Sequence, residues 1–147
     1  MKILKDSIEI RTTPDKIFEW FIHFTENYNV WHPDHVKACW VKGKPWTRGS
    51  ILYVEEYMHG DLHKIKFKAI KIDPNKRIEY KMLFPTSFIC PKGSFIIEPN
   101  VDSCIFTATI SFRFGWLLSR FAKNRIEAFK KHLKEEGENL KRLLEEG

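Results

Sequence analysis

The sequence of 147 residues has few cysteines and no long apolar run. Its three cysteines, Cys39, Cys90 and Cys104, form no CxxC pair and cannot all close internal disulfides. We recognise no secretory segment, and no apolar run reaches the roughly 18 residues that a membrane-spanning helix needs. These absences argue against a disulfide-rich secreted domain and a membrane protein. They predict a soluble protein of the cytoplasm, where thiols stay reduced.

The sequence also lacks internal repeats, linkers, low-complexity tracts and any recognisable nucleic-acid motif. Its net charge of +6 would attract anions, but charge by itself decides no partner. The densest group of cations, Lys64, Lys66, Lys68 and Lys71, is interpreted as the solvated outer face of a strand. We therefore expect no nucleic-acid partner and no membrane insertion, and a single domain over residues 1–147.

Large aromatic side chains are abundant. Aromatic residues make up 14% of the chain, with 12 Phe and 5 Trp, and hydrophobic residues make up 43%. This is the composition of a folded globular domain with a substantial core. A chain this small with so many large rings often encloses a cavity, so we expect a pocket for a small hydrophobic or aromatic ligand.

Hydrophobic patterning predicts the order of the structural elements. A strand covers roughly residues 2–11, and a helix starts after the capping residue Thr13. Residues 28–33 are interpreted as a short second helix or turn. From about 35–113 the sequence alternates like strands, broken by turns rich in glycine and proline. Residues 116–145 then form one long helix without internal proline.

This order of elements resembles the helix-grip fold. That fold is of the α+β class, with a curved antiparallel sheet of about seven strands wrapped around a long C-terminal α-helix and two short helices after the first strand. It is similar to the superfamily of steroid-transfer (START) domains, birch-pollen allergens and polyketide cyclases. The resemblance implies a cavity between the sheet and the long helix, and it implies little about the reaction.

Three polar residues interrupt the apolar face of the last helix. On a helical wheel, Arg125, His132 and Glu136 fall within roughly 60° of Phe129, among aliphatic residues. A buried carboxylate needs a counter-charge, a hydrogen-bond partner or a metal. His132 and Glu136 project from adjacent turns, which suits a two-ligand metal platform. The same spacing also suits a simple His–Glu hydrogen bond at the mouth of a cavity.

Other polar candidates precede the sheet or lie in its strands. His32 and His35 stand at the start of the second strand. Glu56 alternates with aliphatic residues in the next strand and is expected to face the cavity, although a bulge would exchange it with Glu55. His63 shares a face with apolar residues, so it either supports a metal ligand or is an ordinary strand-end histidine.

Four segments resemble the family of diacetylphloroglucinol hydrolase and phloretin hydrolase. They are FEWFIHF at 18–24, YNVWHPDH at 28–35, VEEYM at 54–58 and HLKEEGENL at 132–140. Those enzymes use the helix-grip fold, bind zinc through two His and two Glu, and hydrolyse a carbon–carbon bond that joins an acyl group to a phenolic ring. The resemblance implies the metal ligands His35, Glu56, His132 and Glu136, with His32 as the competitor for the place of His35.

The sequence thus predicts a cavity protein that binds a divalent metal, zinc or alternatively Mn²⁺ or Fe²⁺. Such a protein would be a metal-dependent hydrolase of acyl phenols, with catalytic residues unassigned. The alternatives are a non-catalytic carrier of a hydrophobic ligand and, as a third class, a partner-binding domain of the stress-activator type. Arg125 would pair with an anionic group of the substrate or neutralise Glu136. The predicted cavity wall consists of aromatic residues: Trp20, Phe24, Tyr28, Trp31, Tyr80, Phe84 and Phe129.

Overall fold

The computed structural model describes residues 2–58, 60–113 and 122–146, which contain a seven-stranded antiparallel sheet and three α-helices. The strands are β1 (Lys2–Ile10), β2 (His35–Lys42), β3 (Ile51–Met58), β4 (Asp61–Asp73), β5 (Arg77–Met82), β6 (Lys92–Asn100) and β7 (Ser103–Phe112). Their spatial order is β1-β7-β6-β5-β4-β3-β2. The helices are α1 (Pro14–Ile22), α2 (Phe24–Trp31) and α3 (Ala122–Glu146), and a 3₁₀ turn covers Thr86–Phe88.

Four of the six strand pairings in the sheet run without a break, and two are interrupted by register shifts. Strand β1 pairs with β7 without a break, from Lys2 opposite Phe112 to Ile10 opposite Cys104. Register shifts interrupt β2–β3 near His35 and Trp40, and β4–β5 after Ala69. Bulges of this kind bend the strands that carry them and increase their twist. They therefore contribute to the curvature that the helix-grip fold requires.

The two short helices follow from local sequence. Helix α1 begins at Pro14, directly after Thr13, although the Thr13 hydroxyl makes no capping hydrogen bond. Proline suits the first helical position because its missing N–H would be unpaired there in any case. Helix α2 begins at Phe24, four residues before the predicted start, and ends at Trp31. His32 is extended, as expected for a residue that precedes a proline.

Helix α3 closes the fold by packing its apolar face against the sheet. It lies close to β1, where a Cβ atom at Gly137 would stand 3.3 Å from Asp6 Oδ2 and 3.4 Å from Ile8. Leu140 is fully buried, and the ring of Phe129 meets Phe112 edge-on at 5.0 Å. The helix-grip prediction is confirmed. The predicted part of this helix over 116–121 lies outside the described residues.

Two sequence expectations about environment concern the cysteines and the membrane. All three cysteines are free thiols, and Cys90 and Cys104 are buried. Burial raises the pKa of the Cys90 thiol to about 12, so it stays protonated and unreactive. Across the described ranges, none of the helices combines the length and apolarity that crossing a bilayer requires.

Candidate functional site

A cavity of about 70 Å³ lies between the sheet and the helices α2 and α3. Aromatic and aliphatic side chains form most of its wall. Its polar groups include Glu56, His132 and Glu136, which converge on one region of the wall. The apolar part of the wall includes residues from both helices and from five strands: Phe24, Tyr28, Trp31, Trp46, Leu52, Met58, Phe67, Tyr80, Met82, Phe95, Ala108, Ile110, Phe129 and Leu133.

Five of the seven predicted wall residues line this cavity, namely Phe24, Tyr28, Trp31, Tyr80 and Phe129. The prediction for Phe84 is wrong, because its side chain is 81% exposed. Strand β5 ends at Met82, and the loop through the cis peptide bond before Pro85 ends the alternation that the sequence suggested. The prediction for Trp20 is also wrong. This ring stands behind the wall and meets Trp31 edge-on at 5.0 Å.

Four side chains from three elements meet at the polar end of the cavity. The Nε2 atom of His35 lies 2.8 Å from Glu136 Oε2, 3.3 Å from His132 Nε2 and 3.5 Å from Glu56 Oε2. His132 Nε2 lies 3.0 Å from Glu136 Oε2 and 3.5 Å from Glu56 Oε2. Each residue offers one ligand atom, and all four atoms lie within 4.8 Å of one another. We call these four residues the His–Glu cluster.

Strand register and helix spacing bring the cluster together. His35 opens β2 and pairs with Glu56 of β3, which in turn pairs with His63 of β4. Side chains of paired residues stand on the same face of the sheet, so His35 and Glu56 are neighbours. His132 and Glu136 are four residues apart on α3 and therefore project from adjacent turns toward that row.

The structure decides between the alternatives that the sequence left open. His35, not His32, belongs to the cluster. The His32 ring instead lies beside Glu135, with Nε2 3.0 Å from its Oε1, while His32 Nδ1 accepts a hydrogen bond from the backbone N–H of Asp34. Glu56, not Glu55, faces the cavity, because the Glu55 carboxylate accepts a 2.6 Å hydrogen bond from a tyrosine hydroxyl on the other face of the strand.

Tyr28 fixes two members of the cluster at once. Its backbone carbonyl lies 2.9 Å from His35 Nδ1, and its ring stacks on the His35 ring at 3.9 Å with an interplanar angle of 7°. A carbonyl only accepts hydrogen bonds, so Nδ1 carries the proton and Nε2 faces the cluster. The Tyr28 hydroxyl donates to Glu56 Oε2 at 3.1 Å. The orientations of His35 and Glu56 are therefore coupled through one residue.

Electrostatics in the cluster are strongly coupled. Burial disfavours charge on His132, but the carboxylates of Glu136 and Glu56 outweigh burial and raise the pKa of His132 to about 11. Burial alone would raise the pKa of Glu136. The charges and hydrogen bonds of His132 and His35 instead hold the pKa of Glu136 well below its usual range. Without a metal, the cluster is therefore an ionised, hydrogen-bonded network.

Two further predicted residues lie outside the cluster. Arg125 does not neutralise Glu136, because 11 residues of helix separate the two by about 16 Å along the axis. The charges beside Glu136 come from the two histidines. His63 occupies the next strand in the same row as Glu56. Its Nε2 atom is buried and has no hydrogen-bond partner within the described ranges.

Sequence reasoning missed the contacts that hold α3 against α2. The indole N–H of Trp31 donates to the backbone carbonyl of Glu136 at 2.9 Å, and the side-chain amide of Asn139 donates to the carbonyl of Trp31 at 2.8 Å. Asn139 follows His132 by seven residues, so it lies on the same side of the helix. A polar residue at that spacing was the signal available in the sequence.

Cavity and cluster together define a class of protein: a helix-grip domain with an apolar pocket and a polar centre at one end. The chain belongs to the family described as polyketide cyclase/dehydrase and lipid transport, whose sequence profile matches residues 1–145. A search of curated proteins found no match to the sequence.

Solved structures similar to this one share its fold at low sequence identity. Ara h 8.0201 has a TM-score of 0.76 and 15% identity over 99% of both chains. A START superfamily protein from Mycobacterium smegmatis has a TM-score of 0.76 and 14% identity over 98% of this chain and 97% of that one. Norcoclaurine synthase from Thalictrum flavum, in complex with dopamine and hydroxybenzaldehyde, has a TM-score of 0.68 and 14% identity over 99% and 87%.

These comparisons support the broad superfamily that the order of elements predicted. They give no support to the narrower resemblance to the diacetylphloroglucinol hydrolase and phloretin hydrolase family. A family that includes lipid transport and cyclases fits the binding of a small hydrophobic ligand in the cavity. It does not specify a metal or a reaction, and both of these depend on the residues of this chain.

Proposed function

We propose that the protein binds a small, mostly apolar ligand in the cavity between the sheet and α3. The observation that carries this proposal is a pocket with an aromatic and aliphatic wall and a few convergent polar groups at one end. Ligand sites are commonly built in this way, because apolar surface supplies affinity and a few polar groups set the orientation. Norcoclaurine synthase, which shares the fold, was solved with dopamine and hydroxybenzaldehyde, and these compact aromatic molecules agree with this class of ligand.

The size of the cavity favours a compact ligand. A volume of about 70 Å³ is a small fraction of the several hundred Å³ typical of drug-sized ligand pockets. A molecule with a single aromatic ring would need limited adjustment of the wall, whereas a sterol or a long acyl chain would need the core to open. We therefore expect recognition of one-ring compounds over extended lipids.

As a finer proposal, the His–Glu cluster holds one divalent metal ion, with zinc preferred over Mn²⁺ or Fe²⁺. Four ligand atoms arranged tetrahedrally about zinc at 2.0–2.1 Å would be about 3.4 Å apart. Five of the six separations within the cluster are between 2.8 and 3.5 Å. Mixed imidazole and carboxylate ligands suit zinc.

Protonation supports the same proposal. With its proton on Nδ1, neutral His35 would point the bare lone pair of Nε2 at a carboxylate oxygen of Glu136 only 2.8 Å away. Two acceptors at that distance repel each other, so a proton or a cation must lie between them. A divalent cation would also neutralise both carboxylates, leaving a buried centre with no net charge. The backbone carbonyl on Nδ1 is the kind of partner that orients metal-ligating histidines.

A second candidate function is the hydrolysis of acyl phenols. It is favoured by the position of Glu56, His132 and Glu136 in the cavity wall, where a ligand would meet the cluster. A bound metal would polarise a carbonyl group and lower the pKa of a water ligand. The aromatic wall would hold the flat ring, and the Tyr28 hydroxyl would keep Glu56 in place. The reaction consumes one water: the carbon–carbon bond to the acyl group breaks, the ring carbon takes a proton, and a carboxylic acid leaves.

Metal analysis and ligand titration together test these proposals. The purified protein should carry about one equivalent of zinc, and acetophenone should bind in a titration followed by NMR, whereas an 18-carbon fatty acid should not. Release of acetate from 2,4-dihydroxyacetophenone that stops with a chelator would support the hydrolase. Binding that is independent of metal and without turnover would support the carrier. If acetophenone does not bind, the proposed one-ring ligand class is wrong.

The cellular location is part of the proposal. Because Cys39, Cys90 and Cys104 are all unpaired, a reducing compartment suits the protein, and we infer the cytoplasm. Fractionation of cells that express the full chain would test this, and recovery from a periplasmic or secreted fraction would contradict it.

A further inference from the structure

One tyrosine differs from the others in the protein. The hydroxyls of Tyr28 and Tyr53 donate to the carboxylates of Glu56 and Glu55, and Tyr57 is exposed to water. Tyr80 is only 7% exposed and lines the cavity, yet its hydroxyl makes no hydrogen bond to any residue in the described ranges. Buried polar atoms in native proteins nearly always have a partner, so this hydroxyl requires an explanation.

Packing against a neighbouring strand explains the position of the Tyr80 ring but does not explain its hydroxyl. Tyr80 of β5 pairs with Gly93 of β6, and its side chain lies across the glycine, where a Cβ atom would overlap the hydroxyl. An aromatic ring packed over a cross-strand glycine stabilises a sheet through its face. Phenylalanine would provide that packing equally well. The Tyr80 oxygen adds nothing to that packing, and the hydroxyl makes no hydrogen bond to the described residues that would explain its presence in a largely buried side chain.

The hydroxyl is suited to act as a neutral donor. Burial, together with the negative charges of Glu136 and Glu56, raises the pKa of Tyr80 far above its usual value. The group therefore stays protonated at any physiological pH. Within the described ranges, the side-chain atoms that have neither water contact nor a hydrogen-bond partner are ring nitrogens of Trp40, Trp46 and His63. The Tyr80 oxygen is not one of them. The oxygen therefore keeps some exposed surface, and because Tyr80 lines the cavity we infer that a ligand there can reach it.

We propose that the Tyr80 hydroxyl is a specificity-determining hydrogen-bond donor to the ligand, and that it selects compact aromatic molecules that carry an oxygen acceptor such as a carbonyl. This inference rests on the proposed function, the binding of a small ligand in the cavity. Gly93 supports the donor by leaving room for the hydroxyl above the strand. The ligand is then oriented from two sides, by the His–Glu cluster and by Tyr80.

The test compares two probes of the same shape, acetophenone and α-methylstyrene, in which a C=CH₂ group replaces the C=O group. Binding of each to the full chain is measured by NMR titration in wild type, Tyr80→Phe and the control Tyr53→Phe. The control removes a hydroxyl on the other face of β3, where Tyr53 bonds Glu55. Tyr80→Phe should weaken acetophenone about three- to tenfold, the value of one hydrogen bond, and leave α-methylstyrene unchanged.

The outcomes separate the inference from the function on which it rests. If wild type binds both probes and Tyr80→Phe does not change their ratio, the donor role is wrong and the cavity proposal stands. If Tyr80→Phe weakens both probes equally, the ring acts by packing and the donor role is again wrong. If neither probe binds wild type, the proposed ligand class fails, and this inference fails with it. Tyr53→Phe should behave as wild type with both probes.

Discussion

Two histidine–glutamate pairs join the segment after α2 to neighbouring positions on α3, and they differ in how far the glutamate is exposed to water. His35 and Glu136 are 2.8 Å apart, and His32 and Glu135 are 3.0 Å apart. The two glutamates are adjacent in sequence, so they point about 100° apart around the helix. The Glu136 side chain is 12% exposed and lines the cavity, whereas the Glu135 side chain is 41% exposed.

This difference shows that the surroundings of a histidine–glutamate pair, and not the two side chains themselves, decide whether the pair can bind a metal. Glu135 faces a single imidazole and keeps much of its contact with water, and such pairs contribute little to stability. Glu136 lies among two imidazoles and a second carboxylate in a volume that water barely reaches. Glu136 belongs to a group of four convergent ligand atoms. His32 belongs to a smaller group with Asp34 and His132, and Glu135 belongs to neither group among the described residues. Parallel substitutions at Glu135 and Glu136 can therefore test the comparison.

The largest expected effect is on metal binding. Glu136→Gln replaces a charged ligand atom by a neutral amide and should weaken zinc binding by more than about 100-fold, beyond the loss typical of residues that only support a ligand. The matched variant Glu135→Gln should bind zinc like wild type. Metal content after dialysis and competition with a chromophoric chelator would measure both. Equal zinc affinities for the two variants would mean that Glu136 is not a metal ligand.

A smaller effect is expected on the stability of the metal-free protein. Glu136→Gln leaves two buried imidazoles facing one remaining carboxylate and should lower the free energy of unfolding by about 3 kcal/mol. Glu135→Gln should change it by less than about 1 kcal/mol, because the Glu135 carboxylate, unlike that of Glu136, keeps much of its contact with water. Urea unfolding in the presence of a chelator gives both values. A loss at Glu135 as large as that at Glu136 would show that burial does not distinguish the pairs.

The smallest and most specific effect is on the pH dependence of stability. In the metal-free protein, Glu136 and Glu56 raise the pKa of His132 from 6.5 to about 11 against the effect of burial. This contribution is complete below pH 6.5 and is lost as the pH rises toward 11. The pKa of Glu136 is lowered from 4.5 despite burial, so its contribution is present above pH 4.5 and is lost in acid. Stability should therefore be highest between about pH 4.5 and 6.5.

Melting temperatures measured across pH with a chelator would check this profile. Glu136→Gln should flatten it, and Glu135→Gln should keep its shape. Zinc should reverse the alkaline slope, because metal ligands must lose their protons before they bind. A melting temperature that rises steadily from pH 6.5 to 9 in the metal-free protein would contradict the ionised network.

Much of the fold was predictable because its signals are local. The alternation of β5 through Ile78, Tyr80 and Met82 placed these side chains on the buried face, and all three are buried. The same rule failed at Phe84, because alternation does not reveal where a strand ends. Helix α2 was placed too late, since the residue before its start at Phe24 is His23, whose side chain makes no capping hydrogen bond.

The site was predictable in its residue types and less so in its partners. Helical spacing identified His132 and Glu136, and strand alternation identified Glu56, because periodicity decides which side chains turn inward. Nothing local separated His35 from His32. That choice depends on the 2.8 Å approach of His35 to a residue about 100 positions away, and on the stacking of its ring on Tyr28.

By itself the sequence determined the order of elements, the buried faces and the polar residues that interrupt them, because these depend on neighbours within a few positions. Tertiary structure alone decided which polar residues meet: the row of His35 and Glu56, its closure by α3, and the Tyr80 hydroxyl, which has no hydrogen-bond partner among the described residues. The reason is that strand pairing and helix packing join distant segments. The energies that fix such contacts are summed over the whole core, and no short window of sequence contains them.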